Sequence, residues 1–502
     1  MEIRESRQSL YEYIEAHLEG GVLPSDFSLP QEKLENGLRF ADGAMDGMAM
    51  YHMMGQKPDE EKTKQMAELI GLISAGENEK ADEALLEFAK KNRAISVIDD
   101  FEDYIRKNRA SLNPGNIYQY GVRQIFESAD KECVKYGLEI LELFVLKNEQ
   151  VKDAIRVLGL SDEFTLFALF IMQQWENANE EIFALTRKVT GWGRIHAIEK
   201  LQPETEEIKE WLLLEGIRNH IMPEYSALTC FEKAGVIGRL DGELSDDAFR
   251  SIGMILSAML SEGPVPGISA VEHKEEVLVK YLQKAEEKQL GLEDYEIILQ
   301  IYHYGNEKEE RLEAVCKLCE ELFDAEDCKK VVKEALREGK GIELAMQLKI
   351  EYKTELFASL KRDFNAHFGS VRYLMQDEAY VDDVILLFTE RLPLVQMATG
   401  PQNEMGLGQE FADFQKLDFI LQELRGKTGK GELLIKTALQ SPVVRNRNMA
   451  VAVLKSWAEK EEKTLDEIVP ALYDTLLSAE KIEVREDVKT RMKEVIGYGK
   501  MA

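Results

Sequence analysis

The chain has 502 residues and a formal net charge of −30, with 31% charged and 44% hydrophobic residues. This composition is typical of a folded protein, and the length exceeds what one compact core usually accommodates. So acidic a surface repels phosphate groups and anionic lipids, which argues against nucleic acids and membranes as partners. Five cysteines in so long a chain form no disulfide framework, and the first residues predict a polar helix rather than a signal segment. We therefore expect a cytoplasmic protein.

Helix-forming residues dominate the sequence along its whole length. Leu, Glu, Ala and Lys are abundant, only 12 prolines are present, and apolar residues recur with the period of an α-helix. The predicted fold class is therefore all-α. The most apolar run, residues 164–172, is far shorter than the ~20 residues needed to cross a bilayer, so it predicts a buried helix.

A segment rich in methionine and glycine, residues 37–54, follows the first predicted helix. Its small side chains would let another helix approach closely, and its methionines would fill the gaps. Because glycines weaken a helix, packing must hold this segment, and we expect Gly47→Leu to destabilise the fold. The segment also carries Asp42, Asp46 and His52, the candidate catalytic residues if the chain is an enzyme. The alternative is a tight helix contact whose acids are solvated or act as caps.

Amphipathic helices of ordinary length follow, and their short joints favour antiparallel helix pairs. Residues 113–116, Asn-Pro-Gly-Asn, form a clear turn signal. Irregular breaks are expected near 262–270 and 393–408, where proline and glycine accumulate. Both are short enough to be loops on an array rather than free linkers.

One helix pattern recurs along the chain: an arginine, a small residue three positions later and a large apolar residue four further on. It occurs at residues 194–201, 311–318 and 447–454, and in relaxed form at 485–492. The helix that follows Pro442 resembles the second helix of a HEAT or armadillo repeat, with small residues and a closing leucine directed inward. The resemblance implies an α-α superhelix, a HEAT-like solenoid of stacked helical hairpins whose groove holds protein partners.

This resemblance divides the chain into an N-terminal helical region, residues 1–130, and a helical repeat array, residues 131–502. It carries over no catalytic residue. It also predicts that Ala197, Ala450 and Leu454 are buried, because they occupy inward positions of second helices.

The first copy of the pattern lies in the stretch Gly-Trp-Gly-Arg-Ile-His at 191–196. Trp192, Arg194 and His196 are the candidate partner-binding residues, because aromatic and arginine side chains on a groove wall are strong anchors. The alternative is that Trp192 packs between repeats while Arg194 bonds to carbonyl groups or to an acid of the neighbouring unit.

Metal and cofactor signals are weak. Cys316, Cys319 and Cys328 lie in a helical stretch without a second ligand pair, so we predict buried thiols that act as small hydrophobes and bind no metal. No nucleotide fingerprint follows a strand, and no cofactor is predicted. These patterns favour a non-catalytic protein–protein interaction or scaffold module. The competing hypothesis is an enzyme acting on a small molecule in a pocket beside residues 37–54.

Overall fold

The computed structural model describes residues 8–30, 40–52, 60–307 and 311–498. Within these ranges helix is the dominant regular structure, and the β-type pairing consists of two isolated bridges. The all-α prediction is therefore confirmed. Among the helices of these ranges, none is long and apolar enough to cross a membrane.

The chain divides into two compact units, and the first comprises residues 1–289 and 297–320. Its described helices are α1 (Leu10–Ala16), α2 (Ala44–His52), α3 (Glu60–Ala75), α4 (Asn78–Ala89), α5 (Ile98–Asn108), α6 (Pro114–Glu127), α7 (Lys131–Glu142), α8 (Glu149–Gly159), α9 (Thr165–Met172), α10 (Ala178–Thr186), α11 (Trp192–Lys200), α12 (Glu206–Glu215), α13 (Glu224–Lys233), α14 (Val236–Leu240), α15 (Asp246–Leu260) and α16 (Lys274–Glu286).

The second unit comprises residues 290–296 and 321–502. Two helices contribute residues to both units, α17 (Leu292–Asn306) and α18 (Glu313–Asp324). The other described helices of the second unit are α19 (Glu326–Leu336), α20 (Ile342–Gln347), α21 (Lys353–Arg362), α22 (Phe364–His367), α23 (Val371–Leu374), α24 (Glu378–Arg391), α25 (Leu394–Met397), α26 (Ala412–Leu424), α27 (Glu432–Leu439), α28 (Val444–Glu461), α29 (Leu465–Ile468), α30 (Pro470–Ile482) and α31 (Glu486–Gly497).

Side-chain caps fix where the central helices of the first unit begin. Asn113 caps α6 by accepting a hydrogen bond of 3.0 Å from the amide of Gly115, and Pro114 occupies the first helical position. Asp130 caps α7 by accepting a hydrogen bond of 3.0 Å from the amide of Cys133. The sequence signals at these turns therefore act as helix starts.

Helices α6 and α7 approach each other closely through two glycines. A Cβ at Gly121 would meet the side chain of Ile140, and a Cβ at Gly137 would meet that of Gln124. This contact buries α7 along most of its length. The first compact unit contains the helices on both sides of residue 130.

The three residues predicted to be buried at inward positions of the recurring pattern are buried, whereas Ala314 in the copy at 311–318 is exposed. Ala197 in the first unit and Ala450 and Leu454 in the second have no exposed surface. The apolar run at 164–172 contains α9, and all but one of the side chains of α9 are buried. The hydrophobic period therefore identified the correct faces of these helices.

In two copies of the pattern, the guanidinium group of the arginine donates hydrogen bonds to main-chain carbonyls that precede its own helix. Arg194 Nε donates to Val189 O at 2.7 Å, and Arg447 Nη1 donates to Ser441 O at 2.8 Å. Arg447 is fully buried and also pairs with the buried carboxylate of Glu483, with an Nε–Oε2 distance of 2.7 Å. These bonds satisfy carbonyl groups at the end of the preceding helix.

Candidate functional site

The two segments that stand out in the sequence lie against each other in the first unit. Helix α2 places Gly47 directly on the indole ring of Trp192, the first residue of α11. A Cβ at Gly47 would overlap ring carbons of that indole, and a Cβ at Gly43 would overlap the carbonyl of Asp162. Gly43 also has a φ of 75°, a left-handed conformation that glycine tolerates best. Close packing therefore requires glycine at both positions.

A cluster of buried ion pairs lies beside the first turns of α2. At its centre, Lys135 Nζ is 2.6 Å from Asp46 Oδ2, 2.6 Å from Glu163 Oε1 and 3.1 Å from Glu132 Oε1. The Lys135 side chain has no exposed surface, and Asp46 is 2% exposed. We call this group the Lys135 cluster, and its members are Asp42, Asp46, Lys131, Glu132, Lys135 and Glu163.

Lys131 extends the cluster toward the chain that precedes α2. Its Nζ lies 2.7 Å from Asp42 Oδ1 and 3.5 Å from Glu163 Oε2. Main-chain amides complete the network, since Leu29 N donates to Asp42 Oδ2 at 2.8 Å and Gly43 N donates to Glu163 Oε2 at 3.0 Å. The cluster therefore holds the Met-rich segment to α7 and to the residues before α9.

Two acids of the cluster have pKa values displaced in opposite directions. Burial raises the pKa of Asp46 to about 6, although Lys135 acts against this shift. Burial also acts on Glu163, but Lys135 and Lys131 outweigh it and lower the pKa of Glu163 to about 2. Burial by itself would lower the pKa of Lys135, but Asp46 and Glu163 raise it above its ordinary value. Lys135 is therefore a permanent cation with Glu163 as its counter-ion.

Asp162 explains the Gly-Trp-Gly sequence that opens α11. Its Oδ1 accepts a hydrogen bond of 3.0 Å from the amide of Gly193, and a Cβ at Gly191 would overlap its Oδ2. A carboxylate at a helix N-terminus interacts favourably with the helix dipole. Burial raises the pKa of Asp162 to about 6, although the amides of Gly193 and Gly191 act against this shift. The two glycines thus leave room for a buried acid.

Trp192 and His196 form the buried floor of an aromatic cluster. They are 5% and 1% exposed, and their ring centroids are 6.1 Å apart. The ring of Tyr51 stacks on His196 with a centroid distance of 6.1 Å and an interplanar angle of 11°. Neither ring nitrogen of His196 has a hydrogen-bond partner in the described part of the chain, and burial lowers the pKa of His196 to about 4. The imidazole is therefore neutral at physiological pH.

The Arg194 side chain contacts main-chain carbonyls and Trp211, and is not part of the aromatic cluster. Besides its bond to Val189, it donates from Nη1 to Arg218 O at 2.8 Å, and its guanidinium carbon lies 5.5 Å from the ring centroid of Trp211. These contacts match the structural alternative, in which Arg194 bonds to carbonyl groups. The three candidate partner-binding residues are therefore not a set of exposed anchors, since Trp192 is buried as well.

The accessible part of the aromatic cluster is a surface formed by the end of α2 and the start of α13. Tyr225 connects the two helices, because its ring centroid is 5.2 Å from that of Tyr51 and 4.9 Å from that of Trp192. Its hydroxyl lies 2.8 Å from His52 Nε2. Met50 directly precedes Tyr51 in α2, Met222 lies three residues before Tyr225, and the two methionines are 43% and 40% exposed. We call this surface the Met–aromatic patch, and its members are Met50, Tyr51, His52, Met222 and Tyr225.

The candidate catalytic residues do not converge on one point. Asp42 and Asp46 belong to the Lys135 cluster, whereas His52 is six residues beyond Asp46 on α2, or about 9 Å along the helix, and belongs to the patch. Of the Met-rich segment, residues 37–39 and 53–54 lie outside the described residues. The described part thus contains two separate features, one electrostatic and one apolar.

The cysteines singled out in the sequence are buried in helices. Cys316, Cys319 and Cys328 have no exposed surface. Burial raises the pKa of Cys319 to about 12 and that of Cys328 to about 11, so these thiols are poor nucleophiles. They pack as small hydrophobes, as predicted. In the described ranges, no group of three or more His, Cys, Asp or Glu residues is arranged to hold a metal ion.

Five charged residues of the site were not predicted from the sequence: Lys131, Glu132, Lys135, Asp162 and Glu163. A signal existed for Lys135, which stands within the buried face of α7, where a lysine needs a counter-ion. Asp162 and Glu163 directly precede the buried helix α9, and the same argument applies to them. Their partners were not predictable, because those partners lie in distant parts of the chain.

Fold and site together define an all-helical protein with a buried ion-pair cluster and an accessible Met–aromatic patch. In comparisons with known proteins, no family model matches the chain, and no curated protein or solved structure is significantly similar to it. The function must therefore be argued from the geometry of the site.

Proposed function

We propose that this chain is a non-catalytic protein–protein interaction module that binds its partner at the Met–aromatic patch. The observation that carries the proposal is that the two tyrosines of the patch contact the buried rings of Trp192 and His196, while exposed methionines are close to these tyrosines in the sequence. Aromatic residues and methionine are enriched where protein interfaces bind most strongly, and methionine adapts its shape to the partner.

Hydrogen bonds hold the patch in place, so a partner would meet a preformed surface. Tyr51 donates from its hydroxyl to Glu199 Oε2 at 3.1 Å, and His52 and Tyr225 bond to each other across the two helices. Lys233 donates to three carbonyl oxygens at the end of α11, the helix that carries Glu199. A surface already fixed in this way loses little side-chain entropy on binding.

The partner that fits this surface is a basic amphipathic helix of another protein. The patch supplies apolar contact area, while Glu199 and Glu224 stand next to its tyrosines. The chain as a whole carries a net charge of −30. Lys and Arg residues that flank an apolar helix face would be attracted by this field, which raises the association rate and favours basic partners.

The proposal includes the architecture and the location of the protein. Short connections between helices and the burial of Ala197, Ala450 and Leu454 at inward positions support a HEAT-like solenoid of helical hairpins. The acidic composition supports a cytoplasmic protein whose partner is a protein rather than a nucleic acid or a membrane.

An enzyme acting on a small molecule beside residues 37–54 is the less supported alternative. The carboxylates of Asp42 and Asp46 are engaged by lysines, and His52 lies at the other end of α2. General acid–base catalysis requires groups that reach one reacting atom, and these three residues do not meet at such a point.

A fluorescent peptide of leucine and lysine, patterned as an amphipathic helix, tests the docking proposal by anisotropy titration. Met222→Asp should weaken binding by about tenfold or more, or ~1.4 kcal/mol. It replaces an apolar contact with a carboxylate, and that carboxylate must lose its hydration water when the peptide covers it. Met254→Asp on α15 is the matched control, because Met254 is also 40% exposed and the substitution adds the same charge.

A scrambled peptide of the same composition measures attraction by charge alone. Equal weakening by the two substitutions, or equal affinity for the scrambled peptide, would contradict the patch as the docking site. Both variants should remain folded, because each substitution is at an exposed position. Thermal melts followed by circular dichroism check this.

A further inference from the structure

The first unit also contains a cavity of about 800 Å³ that the docking proposal does not use. Residues of α1, α7 and the end of α4 line it, together with residues that lead into α2. Its volume falls within the range of cavities that hold small organic ligands. The chemistry of its lining therefore indicates what it can bind.

Part of the lining is apolar. Leu10 and Ala89 are buried core residues, while Phe40 and Met45 keep accessible surface. An aromatic ring and a flexible thioether side chain can enclose an apolar body of variable shape. This part of the cavity favours a hydrocarbon or aromatic group over a fully polar ligand.

Another part of the lining carries the guanidinium group of Arg93, whose donors form no hydrogen bond within the described part of the chain. The Arg93 side chain is 46% exposed, and its ionic contact is 3.7 Å from Nη1 to Glu132 Oε1, which is too long for a hydrogen bond. A guanidinium group offers five donors in a planar fork that matches both oxygens of a carboxylate. Arg93 is therefore a ready anchor for an anion.

The acids nearest to Arg93 are already engaged elsewhere. Glu132 Oε2 accepts a hydrogen bond of 2.8 Å from the amide of Ala94, and its Oε1 is 3.1 Å from Lys135 Nζ. Glu163 Oε1 is 2.6 Å from the same ammonium group. Both acids are thus engaged by Lys135 and by main-chain amides, and among the described residues neither forms a hydrogen bond with the fork of Arg93.

We propose that this cavity binds a small organic carboxylate, with the carboxylate on Arg93 and the apolar body against Phe40 and Met45. The site is separate from the Met–aromatic patch, and the proposal does not depend on the docking function. It assigns to the chain a ligand class, that of carboxylic acids with an aliphatic or aromatic body.

Isothermal titration calorimetry of the full chain with octanoate tests this proposal, with octanol and acetate as comparison ligands. Octanoate should bind at a single site, and octanol and acetate should each bind about tenfold more weakly or worse, because one lacks the charge and the other the apolar body. Arg93→Gln should weaken octanoate binding by about tenfold or more. Arg109→Gln, at an exposed arginine in the same unit, should leave it within about twofold.

Three results would overturn the proposal: no octanoate binding at millimolar concentration, equal affinity for octanol, or an affinity that Arg93→Gln leaves unchanged. Loss of folding does not obscure the test, because the Arg93 side chain is partly exposed and its ionic contact within the described ranges is the long one to Glu132. A thermal melt of Arg93→Gln that coincides with the parent melt shows that any loss of affinity comes from the lost anchor.

Discussion

The backbone of Gly47 in α2 packs against the indole ring of Trp192, and a Cβ at position 47 would overlap Cε3 of that ring. Each residue stood out in the sequence for a separate reason, one in a Met-rich segment and the other in a Gly-Trp-Gly stretch. Their contact joins those segments into one site and brings Tyr51 against the buried ring of Trp192 and His52 against Tyr225.

The first prediction concerns this contact. Gly47→Ala should destabilise the protein by roughly 1–3 kcal/mol, and Gly47→Leu by more, because the added atoms force α2 away from Trp192. Gly71→Ala in α3 is the matched control, since nothing lies within 4 Å of a Cβ there, and it should stabilise the protein by up to about 1 kcal/mol. Urea unfolding measures the change in the free energy of unfolding for both variants, which should have opposite signs. A Gly47→Ala curve that coincides with the parent curve would show that the contact with Trp192 is loose.

The second prediction concerns the charge at the centre of the Lys135 cluster. Lys135→Met should cost about 3–5 kcal/mol, because it leaves the carboxylates of Asp46 and Glu163 buried without their cation. Lys107→Met, which removes a surface ion pair with Asp103, should cost less than about 1 kcal/mol. Adding Asp46→Asn to Lys135→Met should recover part of the loss in a double-mutant cycle of unfolding free energies. Strict additivity would mean that the two side chains are not coupled.

The third prediction is a pH dependence that originates at His196. Its folded pKa is about 4 because burial disfavours the imidazolium, whereas the ordinary value is 6.5. Between these values the unfolded chain binds more protons, so this contribution to stability is complete above pH ~6.5 and is lost as the pH falls toward ~4. The histidine should therefore lower the free energy of unfolding by on the order of 3 kcal/mol between these pH values, and His196→Phe should abolish this decrease.

Several buried acids, Asp46 and Asp162 among them, act in the opposite direction and must be separated from this effect. The folded pKa values of Asp46 and Asp162, about 6 each, exceed the ordinary value of 3.8, so their contribution is present at low pH and is lost as the pH rises through 6. Unfolding free energies of His196→Phe and the parent at about pH 4.5 and 7.5 isolate the histidine, because the acids are common to both chains. A difference that is equal at the two pH values would exclude the assignment.

The fourth prediction concerns the buried arginine of the second unit. Arg447→Lys should destabilise the protein by at least about 2 kcal/mol, because an ammonium group cannot bond at once to Glu483 and to the carbonyls of Ser441 and Pro442. Arg485→Lys is the control, since Arg485 occupies the equivalent place in the relaxed copy of the pattern but is 43% exposed. It should cost less than about 1 kcal/mol by thermal melting. Similar losses of stability for both variants would show that the buried hydrogen bonds of Arg447 contribute no more than the surface contacts of Arg485.

Local pattern was sufficient to predict several features of this chain. The helical period identified the buried faces that contain Ala197, Ala450 and Leu454, and the apolar run at 164–172 predicted the buried helix α9. These features follow from residues a few positions apart, since burial of one helix face is encoded in the spacing along that helix.

The tertiary structure alone decided which distant residues meet. Lys135 binds Asp46 and Glu163, and the three come from separate elements. The spacing of residues along one helix carries no information about a partner in another, so the cluster could not be read from the chain. The same reason applies to Trp192, which was predicted to be a partner anchor. In the structure α2 covers its ring, so Trp192 is buried while the neighbouring tyrosines keep accessible surface.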